Sequence, residues 1–236
     1  KEDEYENQEE KNLNDYYKQL YCDIRTIDKS ENIYSILDKY LTAKIDEEDN
    51  DGFGSSYGRR NYLSLIKAYE LNRSDEIKKF KDFGNKKLLW YGTRMTNYVG
   101  ILSQGLRIAP PEAPTSGFRY GKGVYFSDMS QKSSCYCNPV NNIGLLLLCE
   151  VSLGKEDERN KPDFNLPTTL DLNSYSVHAL SRLEPSEGET IDRNVFVPNG
   201  VAKVNTKNML CNDHSEYIVY NVDQIKLRYL LKVKFN

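Results

Sequence analysis

The stretch that decides the fold runs from Lys87 to Cys137 and reads KLLWYGTRMTNYVGILSQGLRIAPPEAPTSGFRYGKGVYFSDMSQKSSCYC. Residues 87–92 are mainly apolar and predict a strand, and residues 124–126 predict a second one. Residues 108–123, between them, are rich in proline and glycine, which is typical of a loop. The stretch therefore predicts two strands joined by a long connection.

Capping residues predict two short helices in the same stretch. Asn97 is expected to cap a helix that ends at Gly105, and Asp128 to cap a helix that continues through Cys137. Further helices are predicted over 30–44, with Ser30 as the cap, and over 75–83. Further strands are predicted over 62–71, 144–153, 216–221 and 228–235.

Residues 155–200 are polar, contain prolines and show few periodic segments, so a long functional or disordered loop is predicted there. Strands outnumber helices, and no regular strand–helix–strand alternation is present. The order of elements therefore predicts an α+β domain.

The charge balance argues against a general nucleic-acid binder. The 236 residues carry 32 Lys and Arg against 35 Asp and Glu, a net charge of −3, and six of the acids lie in the first ten residues. A basic surface of the kind that binds phosphate backbones is therefore not predicted. A lysine-rich segment remains as an alternative contact for nucleic acid, although a solvated face explains it more simply; it contains Lys78, Lys79, Lys81, Lys86 and Lys87.

No membrane span or metal site is predicted. The longest apolar run, Ile143–Cys149, is far shorter than the ~20 residues that cross a bilayer. Five scattered cysteines suit reduced thiols inside a cell better than a disulfide framework. Cys135 and Cys137 supply only two of the four ligands of a closed zinc site, so we expect no metal.

Three blocks of sequence closely resemble the catalytic domain of poly(ADP-ribose) polymerases. They are the stretch 87–137, LLLLCEVSLG at 145–154 and EYIVYNVDQIKLRYLLKVKF at 216–235, and CDIRTID at 22–28 is similar to the first strand of that family. The resemblance implies the diphtheria-toxin-like ADP-ribosyltransferase fold. In that fold, two packed and mainly antiparallel sheets with flanking helices enclose an NAD cleft.

The resemblance also implies domain limits and an activity. Residues 21–236 are expected to form the catalytic domain, and residues 1–20 an acidic lead-in that is the remnant of a preceding helical region. Because the chain begins with Lys1 rather than methionine, we expect it to be a fragment. The implied activity is transfer of ADP-ribose from NAD to protein side chains, with release of nicotinamide. NAD and acceptor proteins are the expected partners, inside the cell, in either nucleus or cytoplasm.

The resemblance implies a role for each residue of the NAD site. Gly92 is expected to hold the nicotinamide amide through its backbone, with Ser133 donating to the same amide and Tyr125 and Tyr136 on the two faces of the ring. Glu216 is expected to be the catalytic carboxylate, paired with Lys132. Arg107 completes the set of NAD-binding residues.

One residue of the implied site departs from the family pattern. The family triad is His-Tyr-Glu, but this chain reads Trp90-Tyr91-Gly92, so its triad is Tyr91, Tyr125 and Glu216. Loss of one hydrogen bond to NAD is worth about 0.5–1.5 kcal/mol, whereas a clash with the larger ring costs more. Two interpretations follow: a working transferase, and a weak or silent module that serves as a scaffold in a larger assembly.

Overall fold

The structure, a computed structural model, describes residues 11–45, 63–110, 112, 117–205 and 212–236. The most acidic part of the predicted lead-in, residues 1–10, lies outside the described residues, whereas residues 11–18 are helical (α1). The other helices are α2 (Asn32–Leu41), α3 (Ser74–Lys79), α4 (Tyr98–Gln104) and α5 (Ser130–Ser134).

Fourteen strands are formed by the described residues. In chain order they are β1 (Asp23–Ile27), β2 (Leu63–Asn72), β3 (Lys86–Gly92), β4 (Val124–Phe126), β5 (Ile143–Ser152), β6 (Glu156–Arg159), β7 (Ser176–Ala179), β8 (Ser181–Pro185), β9 (Glu189–Ile191), β10 (Val195–Val197), β11 (Ala202–Val204), β12 (Asn212–His214), β13 (Glu216–Val219) and β14 (Ile225–Phe235). The α+β class predicted from the sequence is confirmed.

The strands assemble into one large and two small sheets, and most neighbouring pairs are antiparallel. The large sheet has the order β1-β2-β14-β5-β3-β10-β9, and the small sheets have the orders β4-β13-β7-β6 and β11-β8-β12. Two connections of one residue each, Leu180 and Ser215, lead from one small sheet to the other. Three hydrogen-bonded sheets therefore stand where the resemblance implied two.

The large sheet is buried on both faces because apolar residues occupy both sides of its central strands. Leu89 and Leu147 pack with Phe126 of the four-stranded sheet, which forms the core between the two sheets. Leu88 and Trp90 point to the opposite face, where they pack with α2. This alternation along β3 determines which side each residue next to Gly92 faces.

Predicted helices are present, but they are shorter and their caps differ. The apolar repeat of α2 is confirmed, since Ile36, Leu37, Tyr40 and Leu41 are buried. The Ser30 cap is wrong, because Glu31 is the N-cap residue and the Ser30 hydroxyl donates to Asp28. Asn97 is the N-cap residue of α4 as predicted, but its side chain donates to Thr93 and not to the helix, and the helix ends at Gly105, which has a φ of 75°.

The predicted cap at Asp128 is also wrong. The helix α5 begins at Ser130 and ends at Ser134, before Cys137, with Met129 in the N-cap position. Asp128 is buried, and the Tyr217 hydroxyl donates to its Oδ2 atom over 3.3 Å. A carboxyl that has an acceptor role in the core is not available to the helix.

The predicted loop over 155–200 is wrong, because five strands, β6 to β10, lie within it. These strands are three to five residues long, and their burial does not alternate in a regular way: all four residues of β7 are buried. Periodicity over so few residues gives too weak a signal to predict strands.

The lysine-rich segment is only partly a solvated face. Lys78, Lys79 and Lys81 are exposed as predicted. Lys86 and Lys87 are partly buried instead, and their ammonium groups lie 2.9 Å from Asp82 and 3.0 Å from Glu156. Lys81 also lies 3.3 Å from Asp223, so three of the five cations have a neighbouring carboxylate. The four cysteines that the structure describes are free thiols. No helix among the described residues has the length and apolar character to cross a membrane.

Candidate active site

A buried ion pair joins the start of β13 to the short helix α5. The Lys132 ammonium lies 2.9 Å from Oε1 of Glu216, and the two side chains are only 8% and 11% exposed. In a site with so little water, the attraction between the two charges is stronger than on a surface. The expected pairing of Lys132 with Glu216 is therefore present.

The end of β3 packs directly against the same helix. A Cβ atom placed on Gly92 would lie 1.8 Å from the Ser133 carbonyl oxygen, so a residue with a side chain fits there only if the backbone moves. The approach of these two backbones requires glycine. Since Lys132 and Ser133 are consecutive, the Gly92 contact and the Glu216 ion pair meet at one end of α5.

The backbone of Gly92 faces an open side of its strand. The amide and carbonyl of Trp90 bond to Ser127 and not to β5, at 2.8 and 3.1 Å. Bonded positions alternate along an antiparallel strand, so the groups of Gly92, two residues later, face the same side as those of Trp90. Across the described residues, neither group has a hydrogen bond outside the strand pairs. They are available to an amide-bearing ligand.

Ser133 differs from the other serines of α5. The hydroxyls of Ser130 and Ser134 donate to the carbonyls of Leu41 and Gln131, at 2.7 and 2.8 Å. The Ser133 hydroxyl forms no hydrogen bond with any residue that the structure describes, although Ser133 is only 4% exposed. A hydroxyl in such a place can donate to a ligand beside Gly92.

Tyr125 lies on the same face of the four-stranded sheet as Glu216. It is paired in register with Ile218, which is two residues from Glu216 on β13. Its hydroxyl donates to the Gly121 carbonyl over 2.7 Å and accepts from the Tyr120 amide over 2.9 Å. Burial raises the pKa of Tyr125, and the nearby charge of Glu216 raises it further. With its hydroxyl committed to the loop, Tyr125 can offer a ligand its ring face.

Tyr91 points away from this group. Its side chain packs with the core between the sheets, with its ring centroid 6.0 Å from that of Phe126. Burial raises the pKa of its hydroxyl, which has no hydrogen bond to the described residues. Neither an ion pair nor a ring contact joins Tyr91 to Tyr125 or Glu216 in the described parts of the chain. Of the predicted triad, Tyr125 and Glu216 therefore share one face of the four-stranded sheet, and Tyr91 lies apart from them.

Tyr136 and Arg107 lie at the surface. Tyr136 follows α5 and is 52% exposed, which suits a ring that covers a bound ligand. Arg107 is exposed in the segment between α4 and β4, and none of the described acids forms an ion pair with it. Their roles in binding NAD stay predictions.

A second polar group, which the sequence did not predict, lies behind Glu216. His178 Nδ1 is 3.4 Å from one carboxylate oxygen of Glu156, and the other oxygen is 3.0 Å from the Lys87 ammonium. Asp128 lines a cavity of about 130 Å³ together with His178 and Lys87. Burial raises the pKa of Glu156, but the bond from His178 and the charge of Lys87 lower it to about 2. The members come from distant parts of the chain, so no local motif could have revealed them.

The buried Asp128 makes the free energy of unfolding depend on pH, in a direction that its raised pKa defines. Burial raises its pKa to about 7, against the lowering effects of His178, Lys87 and the bond from Tyr217, and its Oδ1 has no partner among the described residues. The folded state therefore binds a proton that the unfolded state releases near pH 4. That stabilisation is complete below pH 4 and is lost as the pH rises through 7.

We expect Asp128→Asn to become more stable relative to the native chain as the pH rises from 4 to 7, by at most about 4 kcal/mol. Urea unfolding of both proteins at pH 4.5 and pH 8 measures the difference in their free energies of unfolding. The contributions of the other titratable groups are common to the two proteins and cancel in this difference. A difference in the free energy of unfolding that is equal at the two pH values would contradict the assignment.

Side chains that could bind a metal are dispersed. Among the described residues, no group of three or more His, Cys, Asp or Glu side chains is placed to hold a metal ion. The groups that converge on α5 are a carboxylate, an ammonium, a hydroxyl and the backbone of Gly92.

Comparison with known proteins identifies the family of the chain. The family model of the Poly(ADP-ribose) polymerase catalytic domain matches residues 53–235. The chain is 41% identical over 227 residues to Poly [ADP-ribose] polymerase 2 of Arabidopsis thaliana, and the alignment covers 94% of this chain and 34% of that protein. It is 38% identical over 232 residues to Poly [ADP-ribose] polymerase 2 of Homo sapiens, with 95% and 38% covered. It spans about a third of the length of these relatives. The chain belongs to the poly(ADP-ribose) polymerase catalytic domain family.

Proposed function

We propose that this chain binds NAD at the end of α5 and transfers its ADP-ribose group to protein side chains, releasing nicotinamide. The observation that carries the proposal is the ion pair of Glu216 with Lys132, beside the contact of Ser133 with Gly92. The first supplies a carboxylate held in place, and the second supplies a subsite for an amide. Both are needed to cleave the bond between nicotinamide and ribose.

The nicotinamide amide binds at Gly92 and Ser133 in this proposal. The carboxamide oxygen accepts from the Gly92 amide and the Ser133 hydroxyl, and the carboxamide nitrogen donates to the Gly92 carbonyl. The rings of Tyr125 and Tyr136 cover the two faces of the pyridinium. An aromatic cation is attracted to the negative face of such rings.

Glu216 acts at the ribose. Its carboxylate accepts a hydrogen bond from the ribose 2′-hydroxyl and stabilises the positive charge that develops as the bond from C1′ to the nicotinamide nitrogen breaks. Nicotinamide leaves with the electron pair of that bond. The acceptor side chain then forms a bond to C1′ and loses its proton, for which Glu216 is the nearby base. Lys132 holds the carboxylate in place through the ion pair at 2.9 Å.

The remainder of NAD extends toward Tyr91 and Arg107. The Tyr91 hydroxyl can donate to and accept from an adenosine-ribose hydroxyl, although its ring packs with the core between the sheets. The exposed guanidinium of Arg107 suits the diphosphate. The proposed steps use no metal.

The products range from one transferred unit to oligomers or polymers. Arg119 and His214 are the residues that we place on the acceptor side. Burial lowers the pKa of His214 to about 4, with the charge of Asp213 acting in the opposite direction, so this imidazole is neutral at pH 7. We place the protein inside the cell, in nucleus or cytoplasm, with acceptor proteins as its partners and residues 21–236 as the catalytic domain.

Tyr91 favours a second candidate function, a silent module that retains the fold as a scaffold in a larger assembly. Its ring is turned into the core, and its hydroxyl has no hydrogen bond to a described residue. If NAD cannot reach this hydroxyl, one anchor of the adenosine ribose is lost. Measurable release of nicotinamide by the native chain excludes this candidate.

The test compares nicotinamide release from millimolar NAD by the native chain, Tyr91→Phe and Tyr91→His. If the hydroxyl binds NAD, Tyr91→Phe raises the KM for NAD about two- to tenfold and changes kcat little, because one hydrogen bond is lost. Tyr91→His is expected to match or improve on the native KM. Release by Tyr91→His alone, with the native chain inactive, supports the scaffold.

A further inference from the structure

One histidine holds the strand of Glu216 from its opposite side. His178 lies on β7, paired in register with Tyr217. Its ring is stacked on the Tyr217 ring at 4.4 Å and 11°, and its Nε2 atom lies 3.1 Å from the Ser215 hydroxyl. Ser215 and Tyr217 are the two neighbours of Glu216 in the chain. A single side chain therefore contacts the residues before and after the carboxylate.

The hydrogen atoms of this network can be assigned. The Ser181 hydroxyl donates to the Leu183 carbonyl over 2.6 Å, so it can only accept from Ser215, 2.9 Å away. The Ser215 hydroxyl has one hydrogen, which this bond uses. Nε2 of His178 must therefore carry the hydrogen that it shares with Ser215.

The network is shielded from water. Ser181 and Ser215 are 0% exposed, Tyr217 is 5% exposed and His178 is 9% exposed. The Tyr217 hydroxyl is fixed further by its bond to Asp128. Buried polar groups that lose a partner are left unsatisfied, so such a network favours one arrangement strongly.

This arrangement matters for Glu216 because successive side chains along a strand alternate in direction. Ser215 and Tyr217 face His178, whereas Glu216 faces the other side, where it meets Lys132 at 2.9 Å. The backbone on both sides of the carboxylate is thus fixed without any contact from His178 to the carboxylate itself. A misplacement of about 1 Å in a reacting group can cost about 10²-fold in rate.

We propose that His178 is a positioning residue for Glu216, acting through Ser215 and Tyr217. The inference rests on the proposed function, in which Glu216 stabilises charge at the reacting ribose. It assigns to His178 an effect on the chemical step and none on the nicotinamide subsite, which is built from Gly92 and Ser133.

The test uses two variants that remove the same hydrogen bond from opposite ends. His178→Phe keeps an aromatic ring on Tyr217 but loses Nε2, and Ser215→Ala removes the hydroxyl. Each is expected to lower kcat for nicotinamide release about 10- to 100-fold, with the KM for NAD within twofold of native. His178→Phe also loses the contact of Nδ1 with Glu156, and Ser215→Ala also loses the bond to Ser181. Because the two variants share the loss of one hydrogen bond, the double variant is expected to be slower by less than the product of the two single effects.

Tyr40→Phe is the matched control. Tyr40 is also fully buried, and its hydroxyl donates to the Leu88 carbonyl over 2.9 Å, on the opposite face of the large sheet. Its loss is expected to lower the melting temperature by a similar amount and to leave kcat at the native value. An equal fall in kcat in this control would show a general effect of destabilisation and overturn the assignment.

A second readout needs no turnover. In a protein with ¹⁵N-labelled lysine, the hydrogen-exchange rate of the Lys132 ammonium reports its pairing with Glu216. Exchange is expected to become several-fold faster in His178→Phe and Ser215→Ala, and to stay native in Tyr40→Phe. Unchanged exchange in the first two overturns the positioning role.

The two readouts separate the two proposals. If the native chain releases nicotinamide and the His178 variant keeps the native kcat, the positioning role fails and the proposed function stands. If the native chain does not release nicotinamide, the proposed function fails. The exchange rate of Lys132 then decides alone whether His178 positions Glu216.

Discussion

Glu216→Gln is expected to lower the kcat of nicotinamide release by about 10²- to 10⁴-fold, with a change of only a few-fold in the KM for NAD. Glutamine keeps the size of the side chain and one carbonyl oxygen, but it carries no charge to stabilise the ribosyl cation. It also cannot accept the proton of the incoming acceptor. The effect therefore falls on the transition state and not on the binding of NAD. Initial rates over a range of NAD concentrations separate the two constants.

The loss of a buried ion pair also destabilises a protein, and this effect has to be separated from catalysis. Glu150→Gln is the matched control, because Glu150 is 0% exposed and lies 2.7 Å from Arg228 on a central strand of the large sheet. Glu150 also lies 3.5 Å from Lys226 and 3.8 Å from Lys86, so its substitution removes the carboxylate charge from a group of three cations. Breaking one buried pair costs about 3–5 kcal/mol, and the control is expected to lose at least as much stability as Glu216→Gln. At a temperature where both variants are folded, only Glu216→Gln is expected to lose activity. A Glu216→Gln rate equal to that of the native chain would remove the role given to this residue.

The parts of the fold that the sequence predicted are those with long or strongly patterned elements. The strand over 144–153 was predicted because its residues form a nearly continuous apolar run, and α2 because its apolar residues recur at helical spacing. The pairing of Lys132 with Glu216 was implied by resemblance alone. Nothing in the spacing of two residues that are 84 positions apart could place them 2.9 Å from one another.

The rest depended on contacts between distant segments. The glycine at position 92 is required by the Ser133 backbone, and the side chain of Tyr91 packs beside Phe126, a residue of β4 that lies 35 residues later in the sequence. His178 and Ser215 are 37 residues apart and meet only because β7 and β13 are neighbours in one sheet. Local propensity carries no information on such pairs, so the strands between 155 and 200 and the network behind Glu216 were both missed.

Gly92→Ala is expected to abolish binding of nicotinamide and of NAD. The added methyl group would lie 1.8 Å from the Ser133 carbonyl oxygen and 2.7 Å from the carbonyl carbon, both of them backbone atoms that cannot rotate away. Either β3 or α5 has to move, and overpacking of this kind costs about 1–3 kcal/mol or more. Since α5 carries Ser133 and Lys132, a shift of this helix displaces the amide donor and the partner of Glu216 together.

Calorimetric titration with nicotinamide measures the loss, and Gly100→Ala is its matched control. Gly100 lies within α4, and no heavy atom comes within 4 Å of the position that an added methyl group would take. Alanine therefore fits there and is expected to stabilise the helix by about 0.5–1 kcal/mol.

Ser133→Ala covers the case in which Gly92→Ala does not fold. It removes the free hydroxyl without adding volume and is expected to weaken the affinity for nicotinamide about two- to tenfold. Native affinity in both Gly92→Ala and Ser133→Ala would place the amide subsite elsewhere. Loss of nicotinamide binding in both Gly92→Ala and Ser133→Ala, with Gly100→Ala unchanged, ties nicotinamide to the junction of β3 and α5, because Gly92 and Ser133 meet there.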